Sequence, residues 1–417
     1  MSIRKLRLFY ICMIAFCACL VYAVSSGIRS NLALLLNPIM LNSGVTYSQI
    51  SFVLALGQLV YGLVQPLFAY LALKKSYGFM LTLSCLLMFS GLFATPFCTS
   101  VTSLTVFLGI LFHAGTGGTC FGLMMAVATP ALGLARATAV SGFVNAGTGV
   151  GSMFLCPFMN VLNSNFGIQT TMMTLSGLTL IIIPVSLWLS NRKQVISPAK
   201  DEEFSLDTNS FFKALQDRTF IVMLLSFATC GFHMSILQTH LYSQFISYGI
   251  TDNIATLSYS LIGIATMIGA VLCGFCYRVF SLKNVLGTVY MLRTVAALTF
   301  IFLMPKTVSN VIIFSIFIGL TCDATVSPTS EIIRNRYGVQ MLGILFGCAF
   351  IFHQLGSFIS SNVAGLIVDI THSYDLLWSI DIILCLFASV SVYTLGKEKK
   401  QQKTTKNFSE NITPVHS

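Results

Sequence analysis

Long apolar segments follow one another along almost the whole chain. A membrane helix needs about 20 mostly apolar residues to cross the hydrocarbon core of a bilayer. Twelve such segments lie between polar, Gly or Pro turns: 9–40, 47–73, 77–97, 101–130, 137–163, 167–190, 218–248, 253–278, 284–304, 308–335, 340–369 and 374–396. The sequence therefore predicts an all-α integral membrane protein with twelve transmembrane helices.

Composition excludes the main soluble classes. Only 9% of the 417 residues are charged and 55% are hydrophobic, whereas soluble domains are about 25% charged. A soluble enzyme or nucleic-acid-binding protein of this length could not cover its surface with so few charges. The 13 cysteines lie nearly all within apolar segments, so we expect small buried side chains and no disulfide framework.

The positions of Lys and Arg predict the orientation of the helices. If the N-terminus is cytoplasmic, 20 of the 23 Lys and Arg residues lie in the two tails or in loops that face the cytoplasm. Lys306 lies outside, and Arg29 and Arg293 lie within spans. Such an excess of positive charge is typical of cytoplasmic loops. An even number of spans puts both termini in the cytoplasm, so the net charge of +10 indicates orientation and not nucleic-acid binding.

The chain divides into two halves of six spans. A long polar segment, from Ser190 to Asp217, separates spans six and seven. Four residues recur 205 positions later: Gly44 as Gly249, Thr46 as Thr251, Gly142 as Gly347 and Gly151 as Gly356. A shared offset in separate regions indicates two six-helix pseudo-repeats. The predicted units are a bundle at 1–190, a cytoplasmic linker at 191–217, a second bundle at 218–396 and a cytoplasmic tail at 397–417.

Five stretches carry a family resemblance: GIRSNLALLLNPI from Gly27, CGFHMSILQTHL from Cys230, TVSPTS from Thr325, FIFHQLGSF from Phe350 and GLIVDITHSYDLLW from Gly365. With the six-plus-six layout, they resemble a bacterial facilitator family related to the monocarboxylate transporters, within the major facilitator superfamily. The resemblance implies the major facilitator fold and a small organic anion as the transported solute. The chain departs from the superfamily in its loops, where Lys75 and Arg278 stand at positions that are usually acidic.

Three charged residues inside spans are candidates for the site, because a charge there is costly and normally faces a cavity or a partner. Arg293 and Asp323 lie at similar depths in spans nine and ten, close to mid-membrane. They either form a structural ion pair, or Arg293 binds an anionic solute and Asp323 carries protons. Arg29, in the first span, either binds a carboxylate through two parallel hydrogen bonds or extends toward the lipid headgroups.

Polar residues of spans seven and eleven complete the candidate site. His233 and Gln238 lie in span seven, and His353 and Gln354 lie in the middle of span eleven. Histidine changes protonation between pH 5 and 8, which suits a proton-coupled cycle, although a buried histidine can also simply bond to a neighbouring helix. His233 and His240 are two turns apart, too far for one metal ion, so we expect neither a metal nor a cofactor.

These features predict a secondary active transporter, not an enzyme, and a monomer. We expect it to move a small organic solute, a carboxylate-type anion, across the cell inner membrane by proton-coupled alternating access. The expected substrate-binding residues are Arg29, Arg293, His233, Gln238, His353 and Gln354, and the expected proton-coupling residues are Asp323 and His353. One alternative is an efflux carrier for drugs or amphipathic metabolites, bound by Phe-rich walls. A membrane sensor that does not transport is a third interpretation.

Overall fold

Helices make up nearly all of the chain. The computed structural model describes residues 3–132, 134–191 and 208–396, and no strand occurs among these residues. Within these described residues, eleven helical segments are apolar and long enough to cross a membrane. The predicted all-α membrane fold is therefore confirmed. The predicted tail at 397–417, and residues 192–207 of the predicted linker, lie outside the described residues.

One of the eleven segments contains two membrane crossings. The segment Val140–Ser190 has 51 residues, which would extend for about 75 Å as a straight helix, more than twice the hydrocarbon thickness. Gly167 interrupts it with φ 76° and ψ 176°, a conformation outside the helical region that favours glycine. The chain turns back at this residue, so the eleven segments correspond to twelve membrane helices.

We label the membrane helices α1 to α12 in chain order. Their bounds are α1 Ile3–Ser30 and Ala33–Ser43; α2 Tyr47–Lys74; α3 Tyr77–Ala94; α4 Val101–Leu104, Thr105–Phe112, His113–Gly117 and Phe121–Leu132; α5 and α6 Leu134–Asn145 and Gly147–Ser190, divided at Gly167; α7 Arg218–Ser247; α8 Asp252–Val279; α9 Leu282–Leu303; α10 Val308–Gly319 and Val326–Tyr337; α11 Val339–Thr371; and α12 Asp375–Tyr393. A short helix, Thr208–Gln216, precedes α7.

The turns after α1 and α7 have the same backbone geometry. Gly44 and Gly249 are both left-handed, with φ 72° and 77°. Thr46 and Thr251 are the extended residues that cap the starts of α2 and α8. These are the positions that recur at the 205-residue offset, which supports two duplicated halves, while the bounds of the two bundles stay a prediction.

Four helices are irregular near their middle. Helix α1 breaks at Asn31 and Leu32, α4 breaks between Gly117 and Phe121, and α10 breaks between Gly319 and Val326. Helix α7 has a π-helical turn at Ile236–His240. Within a membrane, irregular backbone is tolerated only where it is buried in protein or lines a water-filled cavity. These interruptions therefore point to the site.

The carboxylate of Asp217 connects the start of α7 to the end of α10. It accepts a hydrogen bond from the Thr219 N–H (3.0 Å), two from the Arg336 guanidinium (2.5 and 3.0 Å) and one from the Tyr337 hydroxyl (2.7 Å). Partial burial acts to raise the pKa of Asp217, but the hydrogen bonds from Arg336 and Tyr337 outweigh it and lower the pKa to about 2. The ionised carboxylate therefore stabilises the folded protein.

The variant Asp217→Ala should unfold at a lower temperature at pH 7, because α7 loses its cap, a change that costs about 0.5 to 2 kcal/mol. A carboxylate whose pKa is lowered from 3.8 to about 2 on folding stabilises fully above its unfolded value. The difference in melting temperature between the variant and the wild type should therefore disappear as the pH falls through about 2. Thermal unfolding in detergent measures it, with Asp375→Ala, an exposed carboxylate at the start of α12, as the control. If both substitutions lowered the melting temperature equally, the Asp217 carboxylate would not be the stabilising cap of α7.

Candidate functional site

A cavity of about 1000 Å³ lies between the two predicted halves. Its walls come from α1, α2, α4, α5, α7, α8, α10 and α11. Five of the seven predicted site residues line it: Arg29, Gln238, Asp323, His353 and Gln354. The structure thus brings together residues from both predicted halves of the chain.

The cavity opens toward the face on which α1 begins, which we call the N-terminal face. Because successive helices alternate in direction, the end of α2, the end of α10 and the start of α11 lie near this face. The cavity lining reaches Ala69, Ser330 and Ile344 in these three regions. A solute can therefore enter from the N-terminal face.

Hydrogen bonds between the halves close the opposite face. The Tyr47 hydroxyl lies 2.8 Å from Nδ1 of His240 and 3.0 Å from the Tyr374 hydroxyl. The Ser48 N–H donates to the Asp369 carboxylate at 3.1 Å. These contacts join the start of α2 to α7, α11 and α12. The cavity is thus open on one face and closed on the other.

Arg29 lies on the cavity wall and is held by neutral groups. Its Nη1 donates to the side-chain oxygens of Gln58 (2.9 Å) and Gln238 (3.3 Å), and its guanidinium carbon lies 4.2 Å from the centre of the Tyr61 ring. Only 8% of Arg29 is exposed, so it does not extend to the headgroups. Within the described residues, Arg29 forms no ion pair and its Nε has no hydrogen-bond partner. Its positive charge remains available to an anion.

Gln238, which accepts a hydrogen bond from Arg29, lies in the π-helical turn of α7. Such turns are rare and occur often at functional sites. Gln58 and Tyr61 hold the same guanidinium and were not among the predicted site residues. A glutamine and a tyrosine facing inward from α2 have no charge to mark them, and only the packing of α2 beside α1 identifies them.

His353 and Gln354 face the cavity from α11. The His353 ring stacks on the Phe350 ring, with centroids 5.5 Å apart and planes 9° apart. The Gln354 side chain packs where Gly62 has no side chain, since a Cβ there would lie 2.3 Å from Cγ of Gln354. Nδ1 of His353 and Oε1 of Gln354 make no hydrogen bond to any described residue. Buried polar atoms without protein partners are groups that a solute or water can satisfy.

Arg293 does not line the cavity, although its charge marked it as a candidate. It is completely buried on α9, and its Nη2 donates to the backbone carbonyls of Thr321 and Cys322, both at 2.8 Å. Arg293 and Asp323, both described, form no ion pair. Asp323 instead starts a short 3₁₀ turn in the break of α10 and faces the cavity.

His233 also lies behind the cavity wall. Its Nδ1 is 2.8 Å from the Asp381 carboxylate on α12, and both residues are completely buried. Asp381 was not among the predicted site residues, although a carboxylate in the middle of the last span indicates that a partner exists. Cys385 lies close to this pair, and the three residues offer possible metal ligands within 4.8 Å of one another. A structural zinc site needs four ligands, and the hydrogen bond between His233 and Asp381 accounts for their proximity.

The family model of the Major Facilitator Superfamily matches residues 14–305 and 219–417, which together include nearly the whole chain. The chain belongs to the major facilitator superfamily. It is a multi-pass membrane transporter and not an enzyme. The predicted family resemblance is confirmed as well, since curated relatives carry the names of monocarboxylate and MFS-type transporters.

Individual relatives are distant in sequence. Monocarboxylate transporter 12 of Homo sapiens is 22% identical over 392 residues, which cover 87% of this chain and 76% of the relative. An uncharacterized MFS-type transporter of Bacillus subtilis (strain 168) is 22% identical over 261 residues, 61% of this chain and 63% of the relative. The crystal structure of a D-xylose-proton symporter superposes with a TM-score of 0.73 at 13% identity, over 94% of this chain and 99% of that chain. The last likeness shows the fold.

Proposed function

We propose that this superfamily member is a secondary active transporter that moves a small carboxylate-type anion together with a proton. The observation that carries the proposal is Arg29, a cation on the cavity wall whose hydrogen-bond partners are neutral. A buried charge needs compensation, and a solute carboxylate can supply it through charge-assisted hydrogen bonds. The names of the relatives, a monocarboxylate transporter and a proton symporter, support the same solute class and coupling ion.

The anion binds between Arg29 and the polar groups opposite it. Gln238 already bonds to Arg29, and the unpartnered oxygen of Gln354 and nitrogen of His353 face the same cavity. These groups give the solute further hydrogen bonds beyond the guanidinium. Residues of both halves would then contact one solute, so its binding would draw the halves together during the cycle.

Asp323 and His353 take up the coupled proton. A protonated Asp323 removes the negative charge that would repel an anionic solute, so proton and anion bind best together. The titratable and charged side chains that act on Asp323 are Tyr22, Arg29, Tyr61, Cys230, Arg293, Cys322 and His353. Because Arg29 and Arg293 are cationic, the state of Asp323 depends on whether an anion is bound.

We further propose that both termini are cytoplasmic, in the cell inner membrane, and that the protein works as a monomer. The distribution of Lys and Arg supports this orientation, because 20 of 23 would lie on the cytoplasmic side or in the tails. The N-terminal face is then cytoplasmic, so the cavity opens inward. The hydrogen bonds of Tyr47 with His240 and Tyr374 form the closed outer gate.

Efflux of a bulkier apolar compound is the second candidate. The cavity volume, about 1000 Å³, lies at the upper end of the range for small-molecule sites. Phe121, Phe227, Phe346 and Phe350 contribute aromatic surface to its walls. A drug-sized ligand would therefore fit the same space.

Uptake into proteoliposomes tests the proposed coupling. Short-chain monocarboxylates should accumulate when an inward proton gradient is imposed, and a protonophore should abolish the accumulation. The variant Asp323→Asn should still exchange solute but should no longer accumulate it, because it cannot carry the proton. Asp375→Asn, on an exposed carboxylate, is the matched control and should behave as wild type.

Two results would contradict the proposal. Gradient-driven accumulation by Asp323→Asn equal to wild type would remove this residue from the proton pathway. Transport of an amphipathic dye with no response to any monocarboxylate would favour the efflux carrier.

A further inference from the structure

The break in α10 leaves backbone carbonyls outside the two α-helical parts of this helix. The first part of the helix ends at Gly319 and the second begins at Val326. At a helix end, the last carbonyls have no intrahelical partner. Inside a membrane such groups must bond to something else, since an unsatisfied carbonyl there costs several kcal/mol. Arg293 donates to two carbonyls of the segment between the two parts, those of Thr321 and Cys322, of which Cys322 also caps the 3₁₀ turn that begins at Asp323.

The charge of Arg293 is compensated by this helix end. Arg293 is completely buried and, within the described residues, no carboxylate pairs with it. The C-terminal end of a helix carries a partial negative charge, which stabilises a cation placed against it. The Arg293 Nε also lies 3.4 Å from the Thr321 hydroxyl, so oxygens of α10 bond to the guanidinium at two of its nitrogens.

The opposite side of the break is walled by α8. The Thr266 hydroxyl on α8 donates to the Gly319 carbonyl at 3.3 Å. A Cβ on Gly269 would lie 2.0 Å from the Leu320 carbonyl oxygen, so α8 and the break are in direct backbone contact. The break is therefore enclosed between α8 and Arg293, and its carbonyls are not free to turn toward lipid.

We propose that Arg293 is a tethered cation that occupies a latent monovalent-cation site at the broken end of α10, and that it thereby positions Asp323 on the cavity wall. In transporters with broken helices, carbonyls of the unwound segment and the C-terminal ends of half-helices coordinate a free cation such as Na⁺. Here the guanidinium has the same type of ligand. Asp323 follows Cys322 directly, so a displacement of the clamped carbonyls moves its carboxylate.

Shortening the arginine should therefore create a cation site. In the variant Arg293→Ala the carbonyls of Thr321 and Cys322 stay enclosed but lose the guanidinium that donates to them. Na⁺ at 150 mM should raise the melting temperature of the purified variant by about 3 °C over choline at the same ionic strength, since a ligand of the native state stabilises it. The wild type should show no difference between the two salts.

Arg29→Ala is the matched control, because it also removes a buried arginine whose partners are side chains rather than carbonyls of a broken helix. It should show no response specific to Na⁺. A melting temperature of Arg293→Ala that is equal in Na⁺ and choline would overturn the cation site. An equal rise of the melting temperature in Na⁺ for Arg293→Ala and Arg29→Ala would also overturn the cation site.

Arg293→Lys gives a second test that does not depend on the smaller variant folding. Its ammonium can still bond to the carbonyls, so the KM for an anionic solute should stay within about twofold of wild type, whereas loss of a two-pronged contact to the solute would raise it about tenfold or more. The pH profile of uptake should shift, because the lysine holds the Thr321 and Cys322 carbonyls, and with them Asp323, less firmly than the guanidinium does. A tenfold rise in KM, or an unchanged profile, would overturn the positioning role.

The positioning role rests on the proposed proton coupling by Asp323, but the cation site does not. If wild-type uptake ignores the proton gradient, the proposed function fails while the response of Arg293→Ala to Na⁺ can still be measured. If uptake is proton-coupled and Na⁺ has no effect on Arg293→Ala, the cation site alone fails.

Discussion

Replacing Arg29 with lysine should raise the KM for an anionic solute about 10- to 100-fold, because hydrogen bonds to charged groups contribute about 1.5 to 3 kcal/mol. The ammonium cannot form two parallel bonds to a carboxylate, and it cannot reproduce the planar contact with Tyr61. The positive charge is kept, so the protein should still insert and fold. Counterflow uptake over a range of solute concentrations measures the effect.

The control for this variant is Arg334→Lys. Arg334 is exposed on the N-terminal face and pairs with Glu331 one turn before it. Pairs of this kind on a surface contribute little, so its KM should equal that of wild type. A normal KM for Arg29→Lys would show that the guanidinium does not bind the solute, and the efflux candidate would then be the better interpretation.

The two buried arginines show what the sequence can and cannot predict about the site. Each arginine was predicted as a site residue because it is a charge within an apolar span. The cost of burying a charge correctly implied that each one has polar partners inside the protein. The sequence does not say which partners these are. Arg29 is bonded to amide side chains on the cavity wall, while Arg293 is bonded to backbone carbonyls behind it. The difference arises from the break in α10, and no motif in the sequence encodes that break.

The fold followed more directly from the sequence. The length and spacing of the apolar segments predicted twelve helices, since few other structures satisfy backbone groups in a bilayer. Helix periodicity does not predict which residues share a face where a helix is irregular. Asn31 follows Arg29 by two residues, so in a regular helix the two side chains would not share a face. The break in α1 nevertheless places both on the cavity wall. Pairs such as His233 and Asp381, which are 148 residues apart, need the packing of α7 against α12 to be recognised.

Adding a single methyl group at Gly231 should destabilise the protein by about 3 kcal/mol or more, because the backbone that the methyl group would overlap cannot move aside without disturbing the packing. A Cβ at this position would lie 1.8 Å from the carbonyl oxygen of His353, so α7 and α11 must separate to admit it. The same shift would move the His353 side chain on the cavity wall. Gly231→Ala should therefore lose both folded yield and transport.

Gly177→Ala is the matched control, since a Cβ at Gly177 would meet no atom within 4 Å. Alanine is the better helix former by about 1 kcal/mol, so this variant should be as stable as wild type or slightly more stable. Thermal unfolding of the purified variants and the yield of monodisperse protein in detergent compare the two. If Gly231→Ala melted at the same temperature as Gly177→Ala, the close backbone contact of α7 with α11 would not exist in the folded protein, and the position of His353 on the cavity wall would have to be reconsidered.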